Sequence, residues 1–266
     1  MTVKGTLLVE GTATEPVVFT GPKEATGGEW CSIAFLPGSG SSVVDHAEVK
    51  YGGGNCLGSI YIEGSSPTIK DSTISHSADI GIEIESGGSP EIADDRLVAD
   101  ARYGIHYTAG SGQTGEVNIH GNEIEGGGDG IAVSVTGSGI VGKSLGANTI
   151  VGTTEQALVY SGADIPGDIT GNTLSGNKSN VVALGGTVSH SETWNDGGVP
   201  IRVEGGVTVA SGVTLKITQG VFLTQPRMTV KGTLLVEGTA TEPVVFTGPK
   251  EATGGEWCSI AFLPGS

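Results

Sequence analysis

Asp94-Asp95-Arg96 is the tightest acidic and basic cluster in the chain, and Asp71 stands 23 residues before Asp94. Carboxylates beside a base are the groups of proton transfer, which makes these three the catalytic candidates. Neighbouring strand residues point to opposite faces, however, so Asp94 and Asp95 converge only at a bend. A solvated turn is the simpler expectation. His106 follows Glu83 at the same 23-residue step, with Tyr61 in the coil before Glu83. Facing outward together, they could hold a sugar or a metal; as a plain surface pair they contribute roughly 0.2–1 kcal/mol. His46, His76, His120 and His190 lack a partner at metal-ligand spacing and are expected at solvated turns. Gly126-Gly127-Gly128-Asp129-Gly130 has the look of a calcium-binding glycine repeat, but such sites need tandem copies. Neither it nor Gly52-Gly53-Gly54-Asn55 opens a helix as a phosphate loop does. No metal and no cofactor is expected.

The spacing also shows what could position these residues. Ser66-Pro67-Thr68-Ile69-Lys70-Asp71 aligns with Ser89-Pro90-Glu91-Ile92-Ala93-Asp94, and the step carries on from Gly81-Ile82 to Gly104-Ile105. Asn122-Glu123-Ile124, Asn148-Thr149-Ile150 and Asn172-Thr173-Leu174 continue it at steps of 26 and 24. Within a repeat, apolar and polar residues alternate, as in Gly81-Ile82-Glu83-Ile84-Glu85, the signature of a strand buried on one face. Gly, Ser, Asn and Asp punctuate the strands, and helix content should be very low. Short strands repeating every 22–26 residues are satisfied by coils stacked in parallel about 4.8 Å apart. Stacking buries a column of Val, Ile and Leu that no single coil could bury alone. Asn side chains at successive turns can then hydrogen-bond along the stack. An antiparallel sandwich gives no reason for a 23-residue step with matching Pro, Asp and Gly.

A larger repeat encloses this one. Residues 1–39, from Met1 to Ser39, recur unchanged as 228–266, from Met228 to Ser266, an offset of 227 residues. At about 24 residues per coil the unit holds roughly ten coils, in one continuous stack over 1–266. The overlap is either a natural tandem array or an engineered duplication. Cys258 is the copy of Cys31, and the copy of Cys56 would fall at 56 + 227 = 283. Cys31 and Cys56 are 25 residues apart, about one coil, which sets their Cα atoms inside the disulfide window of about 4.4–6.8 Å. A bridge, which would fit an oxidising extracellular setting, and two buried thiols both remain open.

Composition narrows the partners. Thirteen Lys and Arg against 29 Asp and Glu give a net charge of -16, which phosphate backbones and anionic lipid heads would repel. No apolar run approaches the roughly 18 residues that span a bilayer. Nucleic-acid binding and membrane insertion are therefore not expected. The start, Met1-Thr2-Val3-Lys4-Gly5, lacks the basic and then apolar segments of a secretory signal.

Thr193-Trp194-Asn195-Asp196-Gly197-Gly198-Val199-Pro200-Ile201, followed by Val207-Thr208-Val209-Ala210-Ser211-Gly212-Val213-Thr214-Leu215, resembles the opening of bacterial right-handed parallel β-helix proteins of the pectate-lyase-like superfamily. Val230-Lys231-Gly232-Thr233-Leu234 and Pro243-Val244-Val245-Phe246-Thr247 extend the likeness as far as Gly254-Gly255-Glu256-Trp257, where Cys258 and Ser259 depart from it. The resemblance implies an all-β, right-handed parallel β-helix whose unit begins near Thr193. It implies several activities, since this superfamily hosts lyases, hydrolases that use paired carboxylates, adhesins and surface proteins. The family's Gly-His-Gly and Arg-Ile-Lys motifs are missing, and His120-Gly121 follows Ile119 instead. Aromatic content of only 5%, with Trp30, Trp194 and Trp257 in structural stretches, disfavours a sugar-binding groove. The expected function is structural and non-enzymatic: a unit of an extracellular fibre, stalk or sheath. Its partner would be itself, through head-to-tail stacking of the terminal segments or as tandem units in one chain. The alternative is a polysaccharide-active or carbohydrate-binding β-helix.

Overall fold

The computed structural model describes residues 1–224, 227–248 and 258–266. These residues form strands, turns and bends, with no helix among them. Every strand pairs in parallel with a strand one coil away, and the strands build sheets of 15, 6 and 7 strands around about nine turns. The longest sheet climbs from Thr2–Val3 through Ile33–Phe35, Gly58–Glu63, Ile80–Glu85, Tyr103–Ala109, Asp129–Val135, Gln156–Gly162 and Ser179–Val188 to Ile201–Val209. A second sheet runs from Leu8–Glu10 to Gly139–Ser144, and a third from Val17–Phe19 to Thr173–Ser175.

Alternation decides which residues face the axis. Ile60, Ile82, Ile105, Ile131, Leu158, Val182 and Ile201 register on one another along the long sheet and are buried. Ile69, Ile92 and Ile119 do the same in the second sheet, and Ile74, Leu97, Ile124 and Ile150 in the third. Each such side chain contributes roughly 1.5–3 kcal/mol by leaving water. The step is more variable than the 22–26 residues read from the sequence. It widens to 32 between Val3 and Phe35 and narrows to 19 between Val182 and Ile201. The strands keep their register and the connecting turns absorb the difference. In the longest turn the Glu29 carboxylate accepts backbone N–H bonds from Lys23 and Ala25 at 2.7 and 2.9 Å.

Two of the corners are built alike in coil after coil. Between the second and third sheets the chain pivots on one left-handed residue: His46, Asp71, Asp94, Gly121, Ala147 and Gly171 in turn. Between the third and the long sheet the pivots are Tyr51, His76, Ala99, Gly126, Gly152 and Gly176. Where the residue after a pivot carries a side chain, that side chain points inward. At the first corner Ser72, Asp95, Asn122, Asn148 and Asn172 form a buried ladder. Each oxygen accepts the backbone N–H of the ladder residue one coil earlier, at 2.8–3.1 Å. The amides of Asn122, Asn148 and Asn172 donate to the carbonyls of Ile92, Ile119 and Leu145 in the preceding coil. The second corner repeats the device with Ser77 on Asp100 and Thr153 on Asn177.

Candidate functional site

The three catalytic candidates do not converge. Asp94 is a left-handed pivot with its side chain in solvent. Arg96 leaves the outer surface to meet Glu125 at 2.9 Å and Glu123 at 3.9 Å on the next coil. Asp95 is not part of a solvated turn, as expected above; it is a buried rung of the ladder. Its Oδ1 accepts the Ser72 N–H, while its Oδ2 has no partner. Burial raises its pKa well above the ordinary carboxyl range, helped by the nearby Asp71, Asp94 and Asp45. Asp100 is the same case at the other corner, with Oδ2 unpartnered and burial pushing its pKa up to about 8. These acids are ladder rungs, and the triplet has no common point at which a substrate could meet it.

His46, His76 and His190 lie at turns as expected, with His76 and His190 exposed, whereas His120 closes a strand. Asp45, His46 and Asp71 bring one ligand atom each within 4.8 Å of one another, a grouping hidden in sequence because Asp71 lies one coil away. Lys70 already supplies the positive charge there, with Nζ 2.8 Å from Asp45 and 3.6 Å from Asp71. Its hydrogen bond is the first cause that holds the Asp45 carboxyl below its usual range. His76 stacks on Tyr51, His190 reaches Asp164 at 3.0 Å, and His120 ends a strand 3.7 Å from Glu91. Asp129, in the glycine-rich stretch, opens a strand and accepts the Gln156 N–H at 2.7 Å.

Tyr61, Glu83 and His106 do stand in register on the outer face of the long sheet. The surprise is Glu83, which is only 2% exposed. His106 Nδ1 lies 2.8 Å from its carboxylate, the Tyr103 ring stacks on the imidazole at 4.5 Å, and the Arg102 guanidinium covers that ring at 4.9 Å. Burial raises the Glu83 pKa against the opposing pull of His106. The pair can hold a proton out of bulk water. Alongside it, Glu85, Thr108, Gln113, Ser134 and Thr136 line an open cleft of about 330 Å³ whose hydroxyl and amide groups suit hydrogen-bonding ligands. Alternation places the column outward, but nothing in that pattern signals that Glu83 would be buried or that Tyr103 and Arg102 would stack in turn on its partner His106.

The cysteines and the duplicated segment form the other candidate site. Cys31 and Cys56 are joined by a disulfide across adjacent coils, with Cα atoms 5.4 Å apart. Cys258 carries an exposed free thiol. The Gly254-Gly255-Glu256-Trp257 stretch before it lies outside the described residues. Both copies of the segment adopt one register: Thr2 pairs with Ala34 and Val3 with Phe35, as Thr229 pairs with Ala261 and Val230 with Phe262. Their local hydrogen bonds match as well. Ser39 Oγ donates to Leu36 O and Ser266 Oγ to Leu263 O, both at 2.7 Å. Their surroundings differ. Val9 is 5% exposed and Phe35 is fully buried, whereas the equivalent Val236 and Phe262 are 46% and 61% exposed.

Residues 30–150 match a family model described as a right handed beta helix region. Among curated proteins and among solved structures nothing matches the chain.

Proposed function

The chain carries the right-handed β-helix region of that family over residues 30–150, and from this we propose that it is a structural rod, a unit of an extracellular fibre, stalk or sheath that extends by adding coils end to end. The observation that carries the reading is that the duplicated segment is seen stacked on both of its sides. In one copy Val9 registers with Val44 of the coil that follows it; in the other Val236 registers with Ile217 of the coil before it. The same strands thus accept a neighbour above and a neighbour below, the requirement for a heterologous, non-closing assembly. A net charge of -16 keeps such rods apart sideways. The disulfide fits an oxidising surface setting. Electron microscopy of the purified chain at rising concentration tests the proposal. Rods several times longer than one unit of about 45 Å support it; single units at every concentration remove the assembly of separate chains and leave only tandem units within one chain.

A second reading rests on the buried Glu83 paired with His106 and the adjoining polar cleft, which would make the outer sheet face a carbohydrate-binding or polysaccharide-cleaving surface. Incubation with pectin-like and other acidic glycans decides it. Unsaturated products or new reducing ends that vanish in Glu83→Gln support this reading, and products indifferent to Glu83 count against it.

A further inference from the structure

The outer face of the second sheet carries a site that neither reading above uses. Glu91, Asn118, Ser144 and Asp168 follow one another there in register, one per coil. Between Asn118 and Asp168 the surface opens into a cleft of about 510 Å³, flanked by His120, Lys143 and Thr170. Gly146 keeps the floor clear, since a Cβ there would lie 2.7 Å from Asp168 Oδ1. Ser144 Oγ donates to Asp168 Oδ2 at 2.7 Å and accepts the Gly146 N–H at 3.2 Å, which holds the carboxylate in place.

Two unmet demands point into this cleft. Asn118 lines it and is only 7% exposed, yet its side-chain amide has no hydrogen-bond partner among the described residues. The ladder amides of Asn122, Asn148 and Asn172 all donate to a carbonyl. Burying an unpaired amide is unfavourable, and a ligand in the cleft can reach this one. The second demand is charge. Lys143 lies 3.7 Å from Glu116 and His120 3.7 Å from Glu91, each acid on the coil before. Asp168 has no such cation partner among the described residues, although both cations line the same cleft.

We propose that this cleft binds an amino sugar, a hexose carrying a free ammonium group. The ammonium meets Asp168, and the ring hydroxyls meet the Asn118 amide. An ionised carboxylate without a cation partner favours a positively charged donor over a neutral one. A net charge of -16 turns away carboxylated and sulfated sugars. Asn118 and Asp168 stand two coils apart, about 10 Å at the spacing of parallel strands. One sugar ring with its substituents bridges that distance, whereas a simple amine reaches only one of the two groups. Hydroxyls suit the amide because they donate and accept, as it does. The cleft lies on a different sheet from Glu83 and His106, and the proposal stands whether or not that surface takes a glycan.

Isothermal titration of the whole chain at pH 6 with glucosamine, glucose, N-acetylglucosamine and glucuronic acid tests the assignment. Nuclear magnetic resonance of the Asn118 side-chain amide is the second readout. Expected are saturable glucosamine binding, movement of the Asn118 amide signals, and binding of the other three sugars weaker by roughly tenfold or more. Asp168→Asn keeps an acceptor for Ser144 but should lower glucosamine affinity roughly tenfold and abolish the preference over glucose. Asn118→Ala removes an amide that has no partner in the free protein, so it should keep the wild-type urea midpoint and still weaken glucosamine binding. Equal binding of glucosamine and glucose by the wild type overturns the class of ligand. Glucosamine binding indifferent to both substitutions is general attraction to an acidic protein and overturns the site, as does the lack of any saturable signal.

Discussion

Replacing Asp100 with asparagine should change how the stability of this fold depends on pH, and the size of the effect follows from the ladder. Asp100 is buried, its Oδ1 accepts the Ser77 N–H at 2.9 Å, and its Oδ2 has no partner. The equivalent rung Asn177 donates from Nδ2 to Ile150 O at 2.8 Å. By register the carbonyl below Asp100 is that of Ile74, since Ile74, Leu97, Ile124 and Ile150 follow one another in the third sheet. An ionised Oδ2 offers nothing to that carbonyl; a protonated one, or an amide, does.

The folded-state pKa of about 8 lies above the ordinary aspartate value of 3.8, so between these values the folded chain holds a proton that the unfolded chain has released. Stability must then fall as pH rises through that window, at 1.36 kcal/mol per pH unit. From pH 5 to pH 8 the loss is on the order of 4 kcal/mol for this one group. Asp95, also shifted upward, adds a loss of the same sign. Asp100→Asn has no proton to lose, so it should match the wild type near pH 5 and exceed it near pH 8. Urea denaturation followed by far-ultraviolet circular dichroism at both pH values measures the difference. A wild-type midpoint that is equal or higher at pH 8, or a variant that keeps the full slope, refutes the reasoning.

Other perturbations separate the parts of the fold. Phe35→Ala should cost about 3–5 kcal/mol by opening a cavity, whereas Phe262→Ala, in identical sequence surroundings but 61% exposed, should cost under about 1 kcal/mol in the same denaturation assay. Asn148→Ala strands the Asn122 N–H and amide, both 3.1 Å from its Oδ1, and the Ile119 carbonyl; a loss on the order of 4 kcal/mol should appear as an earlier urea midpoint. His106→Ala leaves Glu83 buried without its partner at 2.8 Å and should cost about 2 kcal/mol at pH 8. That cost should shrink on acidification, because burial favours the neutral acid, and denaturation at pH 8 and pH 4 checks both statements.

The periodic residues made the stack legible. Ile69 with Ile92 and Ile74 with Leu97 were aligned by a 23-residue step, and those are their registered partners. The asparagines after each turn gave the ladder for the same reason: an amide both donates and accepts, so a column of them satisfies itself. Asp95 misled because its type and its neighbours Asp94 and Arg96 describe a surface cluster, while its position, one residue after a left-handed pivot, describes an inward rung. Position governs here. A left-handed pivot reverses which way the next side chain points, and non-glycine residues such as Asp71, Asp94 and Ala99 at these pivots give no local sign of it. The stack on His106 was equally hidden, since Tyr103 and Arg102 come from the turn and strand start beside it rather than from the alternating column.

The positions of the two acids say where the rod is weakest. An asparagine rung can be repeated without limit, because each amide both accepts an N–H from the coil before it and donates to a carbonyl of that coil. An aspartate rung can accept but must be given a proton before it can donate. Asp95 and Asp100 flank the single strand Arg96–Val98, so both acidic rungs fall in one coil, well inside the stack. Raising the pH therefore loosens an interior joint while the terminal coils keep their stacking. Hydrogen exchange should show it first at the amides of Ser72 and Ser77, which bond those two carboxyl groups, rather than at Asn122 and Asn148. Equal protection at all four amides across pH 5 to 8 would mean that both acids stay neutral, or both are ionised, throughout that range.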